Sequence, residues 1–151
     1  MFHKVLVGYN PTTNEIISGE KDLPNDFEHW IVKFSAREDQ KDAGPTEYAY
    51  SSMARSAGLE MPRTHLFEAA NNDRFFGVKR FDREKNNRRR HVHSFGNLIH
   101  TDFRIPSCDY SDLFKATSIL TKNHEDIVRL FRQIRYSTRY QQAFPVGENL
   151  L

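Results

Sequence analysis

Short blocks of apolar residues in the first part of the chain predict three β-strands. The block "HKVLVGY" is followed by the turn-forming "NPTTN" and then by "EIISG", which is the pattern of a β-hairpin. A polar connection leads to "HWIVKFS", a third block rich in aromatic and β-branched residues. The chain is therefore expected to begin with a hairpin and a third strand.

A segment with helical periodicity follows, "GPTEYAYSSMARSAGLEMP". We expect Gly44 to cap this helix and Pro45 to take its first position, while Glu47 favours the positive end of the helix dipole. Gly58 is expected to end the helix, and Pro62 prevents it from restarting. The buried face is predicted from an apolar stripe made of Tyr50, Met53, Ala54 and Ala57.

Two further strands, "RTHLFEA" and "RFFGVKRFD", are predicted on either side of the turn "ANND", and after them the pattern becomes helical. We expect a short helix at "SFGNLIH" and a longer one at "YSDLFKATSILT". The last predicted helix is "NHEDIVRLFRQI", where Asn123 is a good N-cap and the apolar stripe stops after Ile134. The predicted class is α+β, a small antiparallel sheet with one helix followed by a group of helices.

The composition is typical of a soluble globular chain. Of its 151 residues, 38% are hydrophobic and 13% aromatic, which is enough for a core and argues against disorder. The formal net charge of +2 is too small to indicate nucleic-acid binding by itself. The single cysteine permits no intrachain disulfide, and we expect no signal peptide, because "MFHKVLVGYN" lacks a long apolar core and a small-residue cleavage site. No run of roughly 20 apolar residues is present. We expect a cytoplasmic protein without membrane association.

One charged residue interrupts the third predicted strand, because Lys33 lies between Val32 and Phe34. In protein kinases, a strand lysine contacts the nucleotide phosphates and a glutamate on the next helix orients it. Lys33 and Glu47 occur in that order along the chain. The alternative is that Lys33 extends into solvent and Glu47 only stabilises the helix dipole, without contact between them. These two residues alone leave both interpretations open.

A longer set of motifs favours the kinase interpretation. The segments "WIVKF", "GPTEYAYSSMARSAGLEMPRTHLFE" and "FFGVKRFDR" together resemble the HipA family of serine/threonine kinases, the toxins that partner HipB-type antitoxins. The resemblance spans roughly residues 4–134, and "HSFGNLIHTDFRIPSCDY" resembles a helical segment of one branch of the family. It implies a partial protein-kinase-like domain, with the small sheet and its helix leading into a fragment of a helical lobe.

The resemblance also implies roles for individual residues. Lys33 would bind the phosphates of ATP, and Glu47 would orient that lysine. Lys79, Arg80 and Phe81 would line the adenine pocket and bond the base through backbone groups, although Lys79 stands where relatives often carry Glu. Complete members of the family use ATP and magnesium to phosphorylate a serine or threonine of a translation-related protein.

Two parts of the family's active site have no match in the sequence. The glycine-rich loop precedes the strand matched by "KVLVGY", where this chain has "MFH", and the Asp-containing catalytic segment should follow Ile134. We therefore expect residues 1–134 to be a partial kinase domain, its nucleotide-binding half, and residues 135–151 to be a non-matching tail. We assign no catalytic and no metal-binding residue, and we expect the chain alone to transfer phosphate negligibly. The alternative function is a non-catalytic interaction module that binds an antitoxin or operator complex.

Two weaker candidates concern metal ions. Asp102 and Phe103 resemble part of the kinase magnesium motif but lack the glycine that follows it, so we expect a local cap and a core aromatic residue. A zinc site is conceivable from four side chains, but their spacing matches no common structural zinc pattern, and we expect ordinary loop histidines instead. The four residues are His91, His93, His100 and Cys108.

A third weaker candidate is the basic run 79–90, which carries seven Lys or Arg residues. Nucleic-acid binding favours clustered cations with interleaved aromatic residues, and only Phe81 is interleaved here. We therefore expect the part "REKNNRRRH" to be a solvated surface loop. Contact with nucleic acid is expected only indirectly, through an antitoxin.

Overall fold

The structure is a computed structural model that describes residues 3–34, 42–98 and 109–143, the last five of them as backbone only. The chain divides into two compact units, residues 1–92 and 93–151. The first unit contains a β-sheet and one α-helix, and the second is helical over its described residues. The α+β class predicted from the sequence is confirmed. Among the helices within the described ranges, none is long and apolar enough to cross a membrane.

All five predicted strands are present, and they form one antiparallel sheet in the order β2-β1-β3-β5-β4. The strands are β1 (His3–Tyr9), β2 (Ile16–Ser18), β3 (Glu28–Phe34), β4 (Thr64–Glu68) and β5 (Arg74–Lys79). The central strand is β3, which pairs with β1 on one side and β5 on the other. Lys33 is therefore held in the middle of the sheet.

The two faces of the sheet differ because successive side chains of a strand point to opposite sides. One face, called the aromatic face below, carries Tyr9, Trp30 and Phe67, which are buried and pack edge to face with ring centroids 5.1, 5.8 and 5.9 Å apart. Lys33 lies on the other face, directly opposite Phe76 of β5. This second face is called the helix face, because the only α-helix of the described part of the first unit packs against β4 and β5 there.

That helix, α1 (Ala43–Ser56), begins earlier than the sequence indicated. Its N-cap is Asp42, so the prediction that Gly44 caps the helix is wrong. Pro45 is the third helical residue rather than the first. The first four N–H groups of a helix have no carbonyl partner within the helix, so the missing N–H of Pro45 costs no helical hydrogen bond. The first turn contains no acidic residue, because the earlier start makes Glu47 the fifth helical residue instead of the third.

The buried face of α1 also differs from the predicted stripe. Tyr50 and Ala54 are buried as expected, but Met53 is 57% exposed and Ala57 is exposed beyond the helix end. The remaining buried positions of the helix are Gly44 and Ser51, which an apolar stripe cannot identify. The C-terminal prediction was better, since Gly58 has a left-handed φ of +80° just after the helix.

Residues 80–90 form a small hairpin at the end of the sheet, which refines the predicted surface loop. Arg83 and Arg89 make an isolated antiparallel bridge, and Asn86 and Asn87 form the turn with positive φ angles of 58° each. Asparagine tolerates this left-handed conformation better than most residues. Most side chains of the hairpin are exposed or partly exposed, as expected for a surface segment.

The described part of the second unit consists of α2 (Phe95–Leu98), α3 (Tyr110–Thr121) and α4 (His124–Ala143). The predicted cap at Asn123 is present, since its Oδ1 accepts a hydrogen bond from the backbone N–H of Glu125 at 3.1 Å. The prediction that helical structure stops after Ile134 is wrong, because α4 continues to Ala143. The apolar stripe ends at Ile134, but the next helix breaker in the sequence is Pro145.

Candidate functional site

Lys33 and Glu47 meet on the helix face of the sheet. The Lys33 ammonium donates a hydrogen bond to Glu47 Oε2 at 2.6 Å, and the two side chains are only 18% and 17% exposed. The same ammonium lies 5.5 Å from the centre of the Phe76 ring. Lys33 therefore does not extend into solvent away from Glu47. A charge-assisted hydrogen bond of this length fixes the direction of a long side chain.

A second lysine lies beside this pair. Lys4 of β1 is directly opposite Lys33 in the antiparallel register of β1 and β3. Directly opposite residues of antiparallel strands have their Cβ atoms about 5 Å apart and point to the same face. Lys4 is exposed, and no carboxylate of the described residues pairs with it. Like charges at directly opposite positions of a sheet are unfavourable, and an anion bound near both lysines would offset this effect.

Lys79, predicted to line an adenine pocket, has its side chain on the aromatic face. Its ammonium lies 2.6 Å from Glu28 Oε1, which Arg63 also approaches at 3.1 Å, while the Trp30 indole donates to Glu28 Oε2 at 3.3 Å. Burial acts to raise the pKa of Glu28, but the hydrogen bond and charge of Lys79, together with Arg63, outweigh it and lower that pKa. The structure thus brings Lys79 to Glu28 rather than to Lys33.

The backbone of residues 79–81 is partly used by the sheet. The Lys79 N–H donates to Arg63 O at 2.8 Å, and the Arg80 N–H donates to His29 O at 2.9 Å. Phe81 follows with a side chain that is 66% exposed, and no acceptor within the described residues takes its N–H. One backbone donor of the predicted segment is therefore available to a ligand.

Two side-chain clusters hold this segment in place. Arg80 donates two hydrogen bonds to Asp82 at 2.9 and 2.5 Å, and this bonding lowers the pKa of Asp82 and raises that of Arg80. Further along, Asn87 Oδ1 accepts from Leu23 N–H at 2.9 Å and its Nδ2 donates to Leu23 O at 3.0 Å. The same Oδ1 lies 3.0 Å from His29 Nε2, so one amide ties the hairpin to the loop before β3 and to β3 itself.

Most cations of the basic run 79–90 lie beside one of four carboxylates of the first unit, Asp22, Glu28, Asp82 and Glu84. Six of its seven cations have a carboxylate oxygen within ion-pair distance, at 2.5 to 3.8 Å. The pairs are Lys79–Glu28, Arg80–Asp82, Arg83–Asp82, Arg88–Glu84, Arg89–Asp22 and Arg90–Glu84. A phosphate backbone would have to compete with these carboxylates, which weakens the case for direct nucleic-acid binding.

The metal-site candidates fall mostly outside the described residues. His100, Asp102, Phe103 and Cys108 all lie there, whereas His91 and His93 are described and exposed. Across residues 3–34, 42–98 and 109–143, no group of three or more His, Cys, Asp or Glu side chains is arranged to hold a metal ion.

Comparison with known families agrees with the geometry. The family model of the HipA-like C-terminal domain matches residues 1–141. This chain belongs to the HipA family. The matched range contains Lys33, Glu47 and the segment 79–81, and it extends past residue 134, where the resemblance noted in the sequence ended. No curated protein matches the chain.

Sequence reasoning did not single out Lys4, Glu28 or Asn87. Period-two alternation from Trp30 places Glu28 on the aromatic face, which was a usable signal. The position of Lys4 depends on the register of two strands, and that of Asn87 on a contact with Leu23 across 64 residues. Neither of these two follows from local pattern alone.

Proposed function

We propose that this HipA-family chain binds ATP and is the nucleotide-binding half of a kinase. The observation that carries the proposal is the 2.6 Å ion pair between Lys33 and Glu47, which holds a largely buried ammonium on the helix face. A strand lysine oriented by a helix glutamate is the arrangement that kinases use to bind nucleotide phosphates. Glu47 would keep the ammonium in position to contact the phosphate oxygens.

Lys4 supports the same proposal as a second phosphate-binding cation. Its position opposite Lys33 concentrates positive charge at one place on the helix face, where only Glu47 supplies a carboxylate among the described ion pairs. A triphosphate carries several negative charges, so it would interact with both ammonium groups at once. This explains why two lysines can lie side by side in the sheet in spite of their mutual repulsion.

The segment 79–81 would bind the base through its backbone. In an extended chain, the C=O of one residue and the N–H of the residue two positions later point to the same side. β5 is extended up to Lys79 and the chain turns at Phe81, so we propose that the Lys79 C=O and the available Phe81 N–H face the base from the end of this strand. An acceptor and a donor so placed match the adjacent donor and acceptor on the edge of adenine. The Lys79 side chain is not required for this contact.

The reaction class that follows is transfer of the γ-phosphoryl group of ATP to a serine or threonine hydroxyl of a protein. In that reaction the described residues would bind and orient the nucleotide. The magnesium ions that accompany ATP in kinases neutralise charge on the phosphates. We assign no magnesium ligand among the residues that the structure describes.

The proposal is tested by titrating the chain with ATP, with and without magnesium, in a calorimeter. We expect Lys33→Ala to weaken ATP binding by about 10- to 100-fold, the value of one or two hydrogen bonds to a charged group. Lys115→Ala is the matched control, since it removes a lysine that is 71% exposed on α3. Equal affinities of wild type and Lys33→Ala would overturn the proposal. Binding of a HipB-type antitoxin without any response to ATP would instead favour an interaction module.

A further inference from the structure

We propose that Gly44 and the hydrogen bond between Ser51 and Thr64 are positioning elements that set the distance between Glu47 and Lys33. The inference rests on the proposed function of Lys33, and it adds which residues outside the ion pair that function depends on. These residues touch neither member of the pair in the contacts described above. They would act by fixing the placement of α1 on the sheet.

Gly44 allows the first turn of α1 to lie unusually close to β5. A Cβ atom added at this position would lie 2.4 Å from the backbone oxygen of Arg74 and 3.2 Å from the backbone nitrogen of Phe76. Both neighbours are backbone atoms of a paired strand, so they cannot move aside as a flexible side chain could. Any larger residue would therefore push the start of the helix away from the sheet.

Ser51 fixes the helix at a second point. Its side chain is buried, with 1% of the residue exposed, and its Oγ lies 2.9 Å from Thr64 Oγ1 on β4. The same hydroxyl donates to Tyr48 O at 2.8 Å, within the helix. Because β4 is paired with β5 along its length, this side-chain contact limits both sliding and rotation of α1.

Helical spacing connects the two fixed points to Glu47. Residues 44, 47 and 51 are separated by three and four positions, so they lie on one side of an α-helix, one above the other. Gly44 lies about one turn before Glu47 and Ser51 about one turn after it. Contacts with the sheet on both sides of Glu47 determine how far its carboxylate is from Lys33. This explains why Gly44 and Ser51 are buried in α1 although neither carries a sizeable apolar side chain.

The test measures contact in the pair directly, without nucleotide. A water-soluble carbodiimide joins a lysine and a carboxylate that touch by forming an amide with loss of water, and peptide mapping by mass spectrometry quantifies each cross-link. The chain contains its own reference, because Lys79 and Glu28 on the aromatic face are also 2.6 Å apart. The readout is the yield of the Lys33–Glu47 cross-link divided by that of Lys79–Glu28.

We expect Gly44→Ala to reduce this ratio at least about threefold, as expected for residues coupled through a shared helix. Alanine is a better helix former than glycine, so weaker helix formation cannot explain such a loss. Ser51→Ala should reduce the ratio less. Ser52→Ala is its matched control, because the Ser52 hydroxyl makes the same type of bond to Tyr48 O at 3.0 Å and makes no hydrogen bond to the strands that the structure describes. The control should leave the ratio unchanged.

An unchanged ratio in Gly44→Ala, or equal loss of both cross-links, would overturn the inference, since the second result means general destabilisation. ATP titrations separate this outcome from failure of the proposed function. If wild type does not bind ATP, that function fails while the cross-link ratio still tests the positioning. If wild type binds ATP, Gly44→Ala alone should weaken ATP binding. The same substitution added to Glu47→Gln should weaken ATP binding no further.

Discussion

The sheet carries two lysine–glutamate pairs of equal length, one on each face, and their surroundings differ. On the aromatic face, Glu28 is the centre, and Lys79, Arg63 and the Trp30 indole all bond to it. On the helix face, Lys4 and Lys33 occupy opposite positions of β1 and β3, and only Lys33 pairs with a glutamate, Glu47 of α1. The first arrangement satisfies its carboxylate completely, whereas the second leaves an ammonium group without a carboxylate among the described residues.

The difference shows that the length of an ion pair does not identify its role. Glu28 joins β3 to β5 and to the residue before β4, so its bonds hold neighbouring strands together. Glu47 joins the central strand to a helix, and its partner lies next to a further cation. A pair that links strands is expected to affect stability, and a pair beside excess positive charge is expected to affect anion binding. The variants below test this division.

The largest effect is expected for Trp30→Ala on the aromatic face. Trp30 is 1% exposed and packs against Tyr9 and Phe67, so truncation should lower the free energy of unfolding by about 3–5 kcal/mol. The ATP affinity of the protein that remains folded should not change, because Trp30 points away from Lys33. Urea denaturation and calorimetry measure the two quantities. A large loss of ATP affinity in folded protein would contradict the separation of the two faces.

The sheet could be predicted from sequence because each strand is a short apolar block between turn residues. The Lys33–Glu47 contact could also be predicted, because the two residues lie on a strand and on the helix that follows it, 14 positions apart. The Glu28–Lys79 pair was not, because it joins residues 51 positions apart through strand register. Local pattern indicates which face of a strand a residue lies on, but it does not identify the residue opposite it on a distant strand.

The errors in α1 have a physical cause of the same kind. Gly44 and Pro45 are typical of a helix start, so the pattern placed the cap there. The structure instead uses Gly44 inside the helix, where β5 approaches its backbone too closely for a side chain. A close approach between two elements is a tertiary property. The glycine at position 44 was informative, but the reason why glycine is needed there could not be predicted from the helical segment alone.

A smaller effect is expected from exchanging the two glutamates for glutamine. Glu28→Gln should lower the free energy of unfolding by about 1.5–3 kcal/mol, since it weakens hydrogen bonds to two cations, and should leave ATP affinity unchanged. Glu47→Gln should cost less stability, about 1 kcal/mol, and weaken ATP binding about tenfold. Measuring both quantities in both variants is decisive. If the two variants behave alike, the pairs do not have different roles.

The contribution of Glu28 to stability should be lost in acid. Because its pKa in the folded protein is below the ordinary value of 4.5, folding favours the charged form. Its contribution is therefore fully present above about pH 5 and is lost as the pH falls through the lowered folded value. The stability difference between wild type and Glu28→Gln should shrink between pH 6 and about pH 3. A difference that grows on acidification would mean that the carboxylate is not stabilised by Lys79.

The smallest effect is expected for an exposed ion pair to which we assign neither a stabilising role nor a role in ATP binding. Arg89 and Asp22 are 3.5 Å apart, but their side chains are 66% and 69% exposed. Solvent screens such a pair, and holding two long side chains together costs entropy, so Arg89→Ala should change the free energy of unfolding by no more than about 0.5 kcal/mol. ATP affinity should be unchanged as well, and urea denaturation with calorimetry again supplies both values. A loss comparable to that of Glu28→Gln would mean that ion-pair distance, rather than burial and the number of partners, determines stability in this protein.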